Sequence, residues 1–139
     1  MTFWLVKSEP NTYAFETLRK DKKTIWDGIR NYQARNNLRA MTSGDVCLFY
    51  HSGEEKAVVG LVKVIHEAYP EPGPESETWS VVDLEYLEAF PRAVTLKAIK
   101  AHPVLVGMAL VKNSRLSVLP VTKEEFQILC SLGGSSLEL

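Results

Sequence analysis

The feature that most restricts the fold is a series of apolar, β-prone segments separated by polar or turn-forming residues. Such runs are typical of strands that are buried on at least one face. The chain has 139 residues, 45% of them hydrophobic, which is enough for one core and too little for two ordinary domains. We therefore predict one domain with a small, mostly antiparallel sheet that curls toward a barrel, with helices around it. The five predicted strands are FWLVK (3–7), VCLFYH (46–51), AVVGLVKVI (57–65), WSVVDLEYLEAF (79–90) and LSVLPV (116–121).

Helical spacing of apolar residues occurs near residues 14–20, 31–41 and 96–112, the last interrupted by a proline and a glycine. A further helix is predicted from the capping-box pattern formed by Thr122 and Glu125, and Gly133 and Gly134 end it. The short turn SGEEK (52–56) is expected to join two antiparallel strands as a hairpin. The segment YPEPGPESE (69–77) is rich in turn residues and is expected to be a loop inside the domain.

Several classes of protein are disfavoured by what the sequence lacks. No apolar run reaches the roughly 20 residues of a membrane span, and the first residues lack the basic start and long apolar stretch of a signal peptide. We therefore expect a cytoplasmic protein that does not contact a membrane. Cys47 and Cys130 lie far apart in apolar contexts, which favours buried thiols over a disulfide or a metal site.

The sequence also gives little indication of a catalytic site. His51 follows Cys47 by four residues, but along a strand their Cα atoms would be roughly 13 Å apart, too far for a nucleophile and its base or for two ligands of one zinc ion. The sequence contains neither a glycine-rich phosphate loop nor a G-x-S-x-G motif. We predict no cofactor, no metal and no catalysis. An enzyme in which Glu9 or His51 transfers a proton is the alternative.

The net charge of −1 hides an uneven distribution along the chain. Residues 19–39 hold seven basic and two acidic side chains, residues 67–88 hold seven acidic and no basic ones, and residues 92–115 hold five basic and no acidic ones. If the two basic segments meet in space, they form a groove for a polyanion. If they do not meet, they are solvated faces, and the sequence leaves both interpretations open.

The segment GIRNYQARNNLR (28–39) is unusual because seven of its twelve side chains are amides or guanidiniums. Asparagine weakens a helix, whereas planar hydrogen-bonding groups suit a nucleobase or a phosphate. Aromatic residues stand among polar ones elsewhere in the chain, and Trp26 precedes Asp27 in what reads as a non-periodic turn. An aromatic ring beside amides is how proteins hold an unstacked base, although core packing is the simpler interpretation for any single ring.

Five motifs, taken together and in order, resemble the EVE domain family: WLVKSEP, WDGIRNYQARNNLRAM, GDVCLFYHS, VVGLVKVIHEAYPEP and SRLSVLPV. The resemblance runs from Phe3 to about Leu132 and implies an EVE domain over residues 1–134, with residues 135–139 as a C-terminal tail. The family belongs to a PUA-like superfamily that includes the ASCH and YTH domains. Membership implies an α+β fold, a small mixed and mostly antiparallel β-barrel with peripheral helices.

The resemblance also implies a non-catalytic module that reads a modified or flipped-out base in nucleic acid. Modified cytosine in DNA is favoured, and a modified base in RNA is possible. A module that binds a peptide or a small metabolite is a further alternative. We expect a monomer. Two departures from the family pattern, Ala14 at a helix-capping position and Ile29 in place of valine, concern helix details and not the pocket.

The site residues follow from the resemblance, position by position. The floor of the pocket is assigned to Lys7, Ser8 and Glu9, one wall to Trp26, and an edge-reading group to Asp27. The other base-binding positions are Arg30, Asn31, Tyr32, Gln33 and Asn36 in the signature segment, Tyr50, His51 and Ser52 at the mouth, Tyr69 and Pro70 in a covering loop, and Arg115 and Ser117 in the segment that closes the barrel. From their charge, Lys23, Arg35 and Arg39 are predicted to contact phosphates. The final SSLEL is interpreted as a disordered end or a non-native extension.

Overall fold

The computed structural model describes residues 1–137 and contains six strands and five α-helices in that range. The strands are β1 (Phe3–Ser8), β2 (Lys23–Trp26), β3 (Val46–His51), β4 (Ala57–Pro70), β5 (Ser80–Thr95) and β6 (Val118–Val121). The helices are α1 (Phe15–Asp21), α2 (Tyr32–Ala40), α3 (Leu96–Ala101), α4 (Ala109–Lys112) and α5 (Lys123–Gly133), with a 3-10 turn at Leu105–Gly107.

All six strands belong to one sheet in the order β2-β5-β4-β3-β1-β6. The pair β1 and β3 is parallel, and the other four pairs are antiparallel. The register of the long β4–β5 hairpin shifts at four places, and such irregularities bend strands and increase their twist. The predicted α+β class with a mostly antiparallel sheet and peripheral helices is therefore confirmed.

The core lies where the helices cover the sheet. Strand β3 is buried along its whole length, because the sheet extends on both sides of it and its side chains are covered on both faces. The aromatic ring of Phe126 on α5 stacks on Phe3 of β1 with ring centroids 4.2 Å apart. The α5 capping box predicted from the sequence is present, since Thr122 Oγ1 accepts from the Glu125 N–H and Glu125 Oε1 accepts from the Thr122 N–H.

Two predicted elements differ from the structure. The segment ending at Trp26 is not a turn but strand β2, because Trp26 pairs with Val82 of β5. The loop predicted over residues 69–77 is shorter, because Tyr69 and Pro70 continue β4 and pair with residues at the start of β5. The interrupted helical region at 96–112 and the hairpin at 52–56 are confirmed.

The end of the described chain is tied to the sheet. The hydroxyls of Ser135 and Ser136 donate to the Glu88 carboxylate of β5, and the Ser136 N–H donates to Glu88 Oε2 at 2.9 Å. These bonds connect Ser135 and Ser136 to β5, while residues 138–139 of the predicted tail lie outside the described residues, and the interpretation of SSLEL stays a prediction. In residues 1–137, no helix has the length and hydrophobicity needed to cross a bilayer.

Candidate functional site

A pocket of about 460 Å³ opens beside the ends of β1 and β2. This size falls in the range of about 300–1,000 Å³ typical of small-ligand sites. Its walls come from three separate parts of the chain, and its lining residues are Lys7, Ser8, Glu9, Thr12, Tyr13, Thr24, Ile25, Trp26, Asp27, Gly28, Ile29 and Ser117.

The floor is formed where β1 leaves the sheet. The backbone N–H of Lys7 donates to the Ser117 carbonyl at 2.9 Å, which brings the β6 side of the pocket against β1. The Lys7 amine donates to the Ser114 carbonyl at 3.0 Å, and burial lowers the pKa of this amine. The Ser8 hydroxyl donates to the Tyr13 carbonyl at 2.5 Å. The turn after β1 is thereby folded back over the strand end.

The carboxylate of Glu9 is accommodated by the lack of a side chain at Gly53. A Cβ atom added to Gly53 would lie 2.5 Å from Glu9 Oε2, a separation that real Cβ atoms essentially never show. Gly53 also has φ +79°, a conformation that favours glycine. Glu9 Oε1 accepts from the Asn11 N–H at 3.2 Å, so the acid is held at the pocket edge.

The indole of Trp26 forms one wall and belongs to the core as well. Its ring meets Phe49 edge to face with centroids 5.6 Å apart and Tyr13 at 6.3 Å. The residue is 7% exposed. Strand β2 fixes this position, because consecutive residues of a strand point to opposite faces, and Ile25, the preceding residue, is 53% exposed. Packing and pocket formation are therefore combined in one side chain.

The segment after Trp26 is anchored by Glu71. Glu71 Oε1 accepts from the Gly28 N–H at 2.8 Å, and Oε2 pairs with the Arg30 guanidinium at 2.5 Å. The Arg30 hydrogen bond and then the Gly28 N–H hold the pKa of Glu71 below its usual range. Gly28 has φ +77°, so the chain turns sharply there. Glu71 was not predicted as a site residue, and its carboxylate holds the pocket wall from outside.

The polar side chains of α2 bond mostly to the protein itself. Asn31 is the N-cap, and its side chain accepts from the Ala34 N–H at 2.9 Å. Arg35 donates to the Thr78 carbonyl at 3.1 Å, and Arg39 donates to the Ser80 hydroxyl at 2.9 Å. Asn36 accepts from Arg35, and Asn37 donates to the Val118 carbonyl. These contacts hold α2 against the start of β5 and against β6.

The structure brings six of the predicted base-binding residues to the pocket: Lys7, Ser8, Glu9, Trp26, Asp27 and Ser117. The remaining eleven are not among its lining residues: Arg30, Asn31, Tyr32, Gln33, Asn36, Tyr50, His51, Ser52, Tyr69, Pro70 and Arg115. The predicted phosphate contacts Lys23, Arg35 and Arg39 also lie outside the lining, on β2 and α2.

Several of these outlying residues support the pocket from behind. Tyr50 is buried in β3, with the Lys7 amine 5.8 Å from its ring centroid. His51 Nε2 accepts from the Phe15 N–H at 3.0 Å, and its Nδ1 lies 2.6 Å from Glu55 Oε1. The Ser52 N–H donates to the Ser8 carbonyl. The structure thus places these residues in the framework of β1 and β3.

Tyr69 lies on β4, and its hydroxyl bonds to a residue of β5. Its hydroxyl donates to Asp83 Oδ1 at 2.6 Å, and this bond, with burial, raises the pKa of Tyr69 to about 12. Pro70 follows it at the end of the strand. The expected lid over the pocket is, at these two positions, part of the sheet.

Six lining residues were missed in the sequence: Thr12, Tyr13, Thr24, Ile25, Gly28 and Ile29. A signal existed for part of this set, since Thr24, Ile25 and Trp26 are all β-prone and alternate between outward and inward positions. Tyr13 is an aromatic residue beside polar ones, the same pattern that marked Trp26.

The EVE domain profile matches residues 2–132. The chain belongs to the EVE domain family. Human thymocyte nuclear protein 1 is 37% identical over 163 residues, which cover 93% of this chain and 72% of that protein. The sequence motifs had indicated this family, and the match confirms it over nearly the whole domain.

Solved structures with similar folds include members of two kinds of domain. Rpa0253 from Rhodopseudomonas palustris is similar with a TM-score of 0.93 and 41% identity, covering 99% of this chain and 97% of that one. Human THYN1, solved in complex with 5-methylcytosine-containing DNA, is similar with a TM-score of 0.87 and 35% identity, covering 100% of both chains. A YTH domain from Zygosaccharomyces rouxii, with a TM-score of 0.62 and 11% identity over 99% of this chain and 88% of that one, is a likeness of fold alone.

Proposed function

We propose that the pocket binds a modified base that has been flipped out of a nucleic acid, with modified cytosine in DNA as the favoured ligand. The observation that carries this proposal is the convergence of an indole, an amine and two carboxylates on one open pocket: Trp26, Lys7, Glu9 and Asp27. The likeness to human THYN1, solved with 5-methylcytosine DNA, supports the choice of ligand.

The chemistry of the lining matches the edge of a cytosine. Its exocyclic N4 amine is a donor, and carboxylates such as Asp27 and Glu9 are acceptors that suit it. The Lys7 amine and the Ser117 hydroxyl can donate to the acceptor atoms of the base. Trp26 offers an aromatic surface for stacking, and base–aromatic stacking contributes about 1–3 kcal/mol.

The methyl group of a modified cytosine requires an apolar neighbour. Ile29 lines the pocket, and contact between an apolar side chain and a base methyl group is a known means of recognition. In this proposal, the carboxylates select cytosine and an isoleucine selects its methyl group.

The predicted residues outside the pocket keep secondary roles in this proposal. The signature-segment residues, Arg30 to Asn36, would form the rim, and Tyr50, His51 and Ser52 would hold the mouth in shape. Arg115 would stand beside Ser117 in the segment that closes the barrel. Lys23, Arg35 and Arg39 would contact the phosphate backbone, which is where affinity without sequence preference arises.

The proposal includes no chemical step. Both ring nitrogens of His51 already have partners, the Phe15 N–H and the Glu55 carboxylate, which leaves this imidazole poorly placed to act as a general base. Glu9 lies at an exposed edge and is engaged with the Asn11 N–H. A binding role needs neither residue to transfer a proton.

The decisive experiment compares four single-stranded oligonucleotides of one sequence, DNA and RNA, each with cytosine or 5-methylcytosine at one position. We expect the methylated DNA to bind more tightly than the unmethylated DNA at low salt. Equal affinity for both DNA ligands would contradict recognition of modified cytosine. Tighter binding of the methylated RNA than of the methylated DNA would move the proposal to RNA. Loss of the methylated base during incubation, followed by mass spectrometry, would show an enzyme.

A further inference from the structure

A row of rings and guanidiniums lies just outside the pocket, and we call it the Tyr32 stack; it consists of Arg30, Tyr32, Arg35 and Trp79. Tyr32 stacks on Trp79 with ring centroids 5.1 Å apart and an interplanar angle of 24°. The Arg30 guanidinium lies 5.2 Å from the Trp79 centroid, and that of Arg35 lies 4.9 Å from the Tyr32 centroid.

The parts of the stack are held in place before any ligand arrives. Trp79 Nε1 donates to Glu75 Oε2 at 3.0 Å, Arg30 is paired with Glu71, and Arg35 donates to the Thr78 carbonyl. Fixed side chains lose little conformational freedom on binding, so their contacts contribute more to affinity.

The exposure of the two rings is very different. Trp79 is 7% exposed, as expected for a residue that packs into the domain, whereas Tyr32 is 61% exposed. Much of Tyr32 therefore stays accessible while its stacking on Trp79 fixes the orientation of the ring. Such a ring is typical of surfaces that stack unpaired bases, as are guanidinium planes.

The stack is joined to the pocket through one carboxylate. Glu71 binds both the N–H of Gly28, which lines the pocket, and the guanidinium of Arg30, which belongs to the stack. Only Ile29 separates Gly28 from Arg30 in the chain. When one base of a nucleotide chain lies in the pocket, the next base is therefore close to the Tyr32 stack.

We infer that the Tyr32 stack binds the base of the nucleotide next to the one in the pocket, so that the ligand is a single strand or a locally opened one. This inference rests on the proposed function, because it presumes a nucleotide in the pocket. A base in an intact duplex is already stacked on both sides and has no free face to offer, so an unpaired neighbour is required.

The test combines one substitution with one change in the ligand. Binding of the full chain is measured for a single-stranded hexanucleotide with a central 5-methylcytosine and for the same strand with abasic sites on both sides of it. Y32A should lower affinity for the first ligand about 10-fold, the loss expected for one stacked base, and leave the second unchanged. Y32F should retain wild-type affinity, and V106A, at another exposed apolar residue, should change neither.

Equal losses on both ligands, or no loss on either, would overturn the inference. Its failure is distinguishable from failure of the proposed function. If the pocket does not read the modified base, replacing the central 5-methylcytosine by cytosine leaves the affinity unchanged. The difference between the Y32A effects on the strands with and without flanking bases can still be measured in that case. If instead the base is read and the coupling is absent, only the Tyr32 stack is ruled out.

Discussion

The imidazole of His51 caps α1 from another element: its Nε2 accepts from the Phe15 N–H at 3.0 Å. Ala14, the residue at the N-cap, provides no side-chain hydrogen bond. With Nε2 as the acceptor, the proton resides on Nδ1, which donates to Glu55 Oε1 at 2.6 Å. The lack of a side-chain cap at Ala14 is therefore offset by a histidine of β3.

H51A is expected to lower the free energy of unfolding by about 1–3 kcal/mol, because it leaves the buried Phe15 N–H without an acceptor. Urea denaturation measures this directly. K63A, at an exposed residue of β4, is the control and should change stability by less than about 0.5 kcal/mol. Equal effects of the two substitutions would mean that the cap does not contribute.

Trp26 serves both the core and the pocket, so its substitution should affect two measurements. W26A is expected to lower the free energy of unfolding by about 3–5 kcal/mol, which is large for a domain of this size. W26F keeps an aromatic surface, and we expect it to fold and to bind methylated DNA with weaker discrimination.

Trp4 provides a matched control for Trp26, because it is also a nearly buried indole but lies on β1 outside the pocket lining. W4F should lower the thermal midpoint and leave affinity for methylated DNA unchanged. If W4F and W26F reduce affinity equally, the loss comes from general destabilisation and not from stacking.

The predicted phosphate contacts should appear in the salt dependence of binding. Each of K23A, R35A and R39A is expected to reduce the slope of log affinity against log salt by about one, with methylated and unmethylated ligands affected alike. K123A, at the start of α5, is the control. Unchanged slopes would leave Arg35 and Arg39 with the role the structure shows, bonding to Thr78 and Ser80.

The lowered pKa of Glu71 gives a prediction for acid conditions. The Arg30 bond and the Gly28 N–H favour the charged carboxylate in the folded state, so the folded pKa is below the unfolded one. The resulting stabilisation is complete above the unfolded pKa of about 4.3 and is lost as pH falls through the lowered pKa. In unfolding experiments from pH 6 to pH 3, wild type should lose stability more steeply than E71Q. Parallel curves would show that this pair does not contribute.

The sequence predicted the parts of the fold whose patterns are long or carry a specific signal. The capping box at Thr122 and Glu125 fixed α5, and continuous apolar runs identified β1 and β3. Strand β2 was missed because it has four residues and begins at a lysine, and its existence depends on pairing with β5 rather than on its own pattern. Tyr69 and Pro70 were assigned to a loop for the same reason. Pairing with β5 extends β4 beyond the residues whose sequence pattern indicates a strand.

The part of the site at the end of β1 could be predicted from the sequence. The parts that depend on contacts between distant segments could not. The resemblance to the EVE domain family assigned Lys7, Ser8 and Glu9 to the floor, and all three line the pocket, whereas nothing local distinguishes Glu71, which reaches Gly28 across 43 positions. The amides and guanidiniums of α2 had suggested a ligand, and the structure gives Asn31, Asn37 and Arg39 partners within the protein.

The pocket lining spans nearly the whole chain, from Lys7 on the first strand to Ser117 just before the last. Synthesis proceeds at about 5–20 residues per second, so the interval between these two residues is roughly 5–20 s. During that interval β1 can pair with β3 but not with β6, and one edge of an apolar strand stays open. In a nascent chain the pocket therefore lacks the wall that Ser117 provides until the final strand has emerged, so the pocket is among the last features of the domain to be completed.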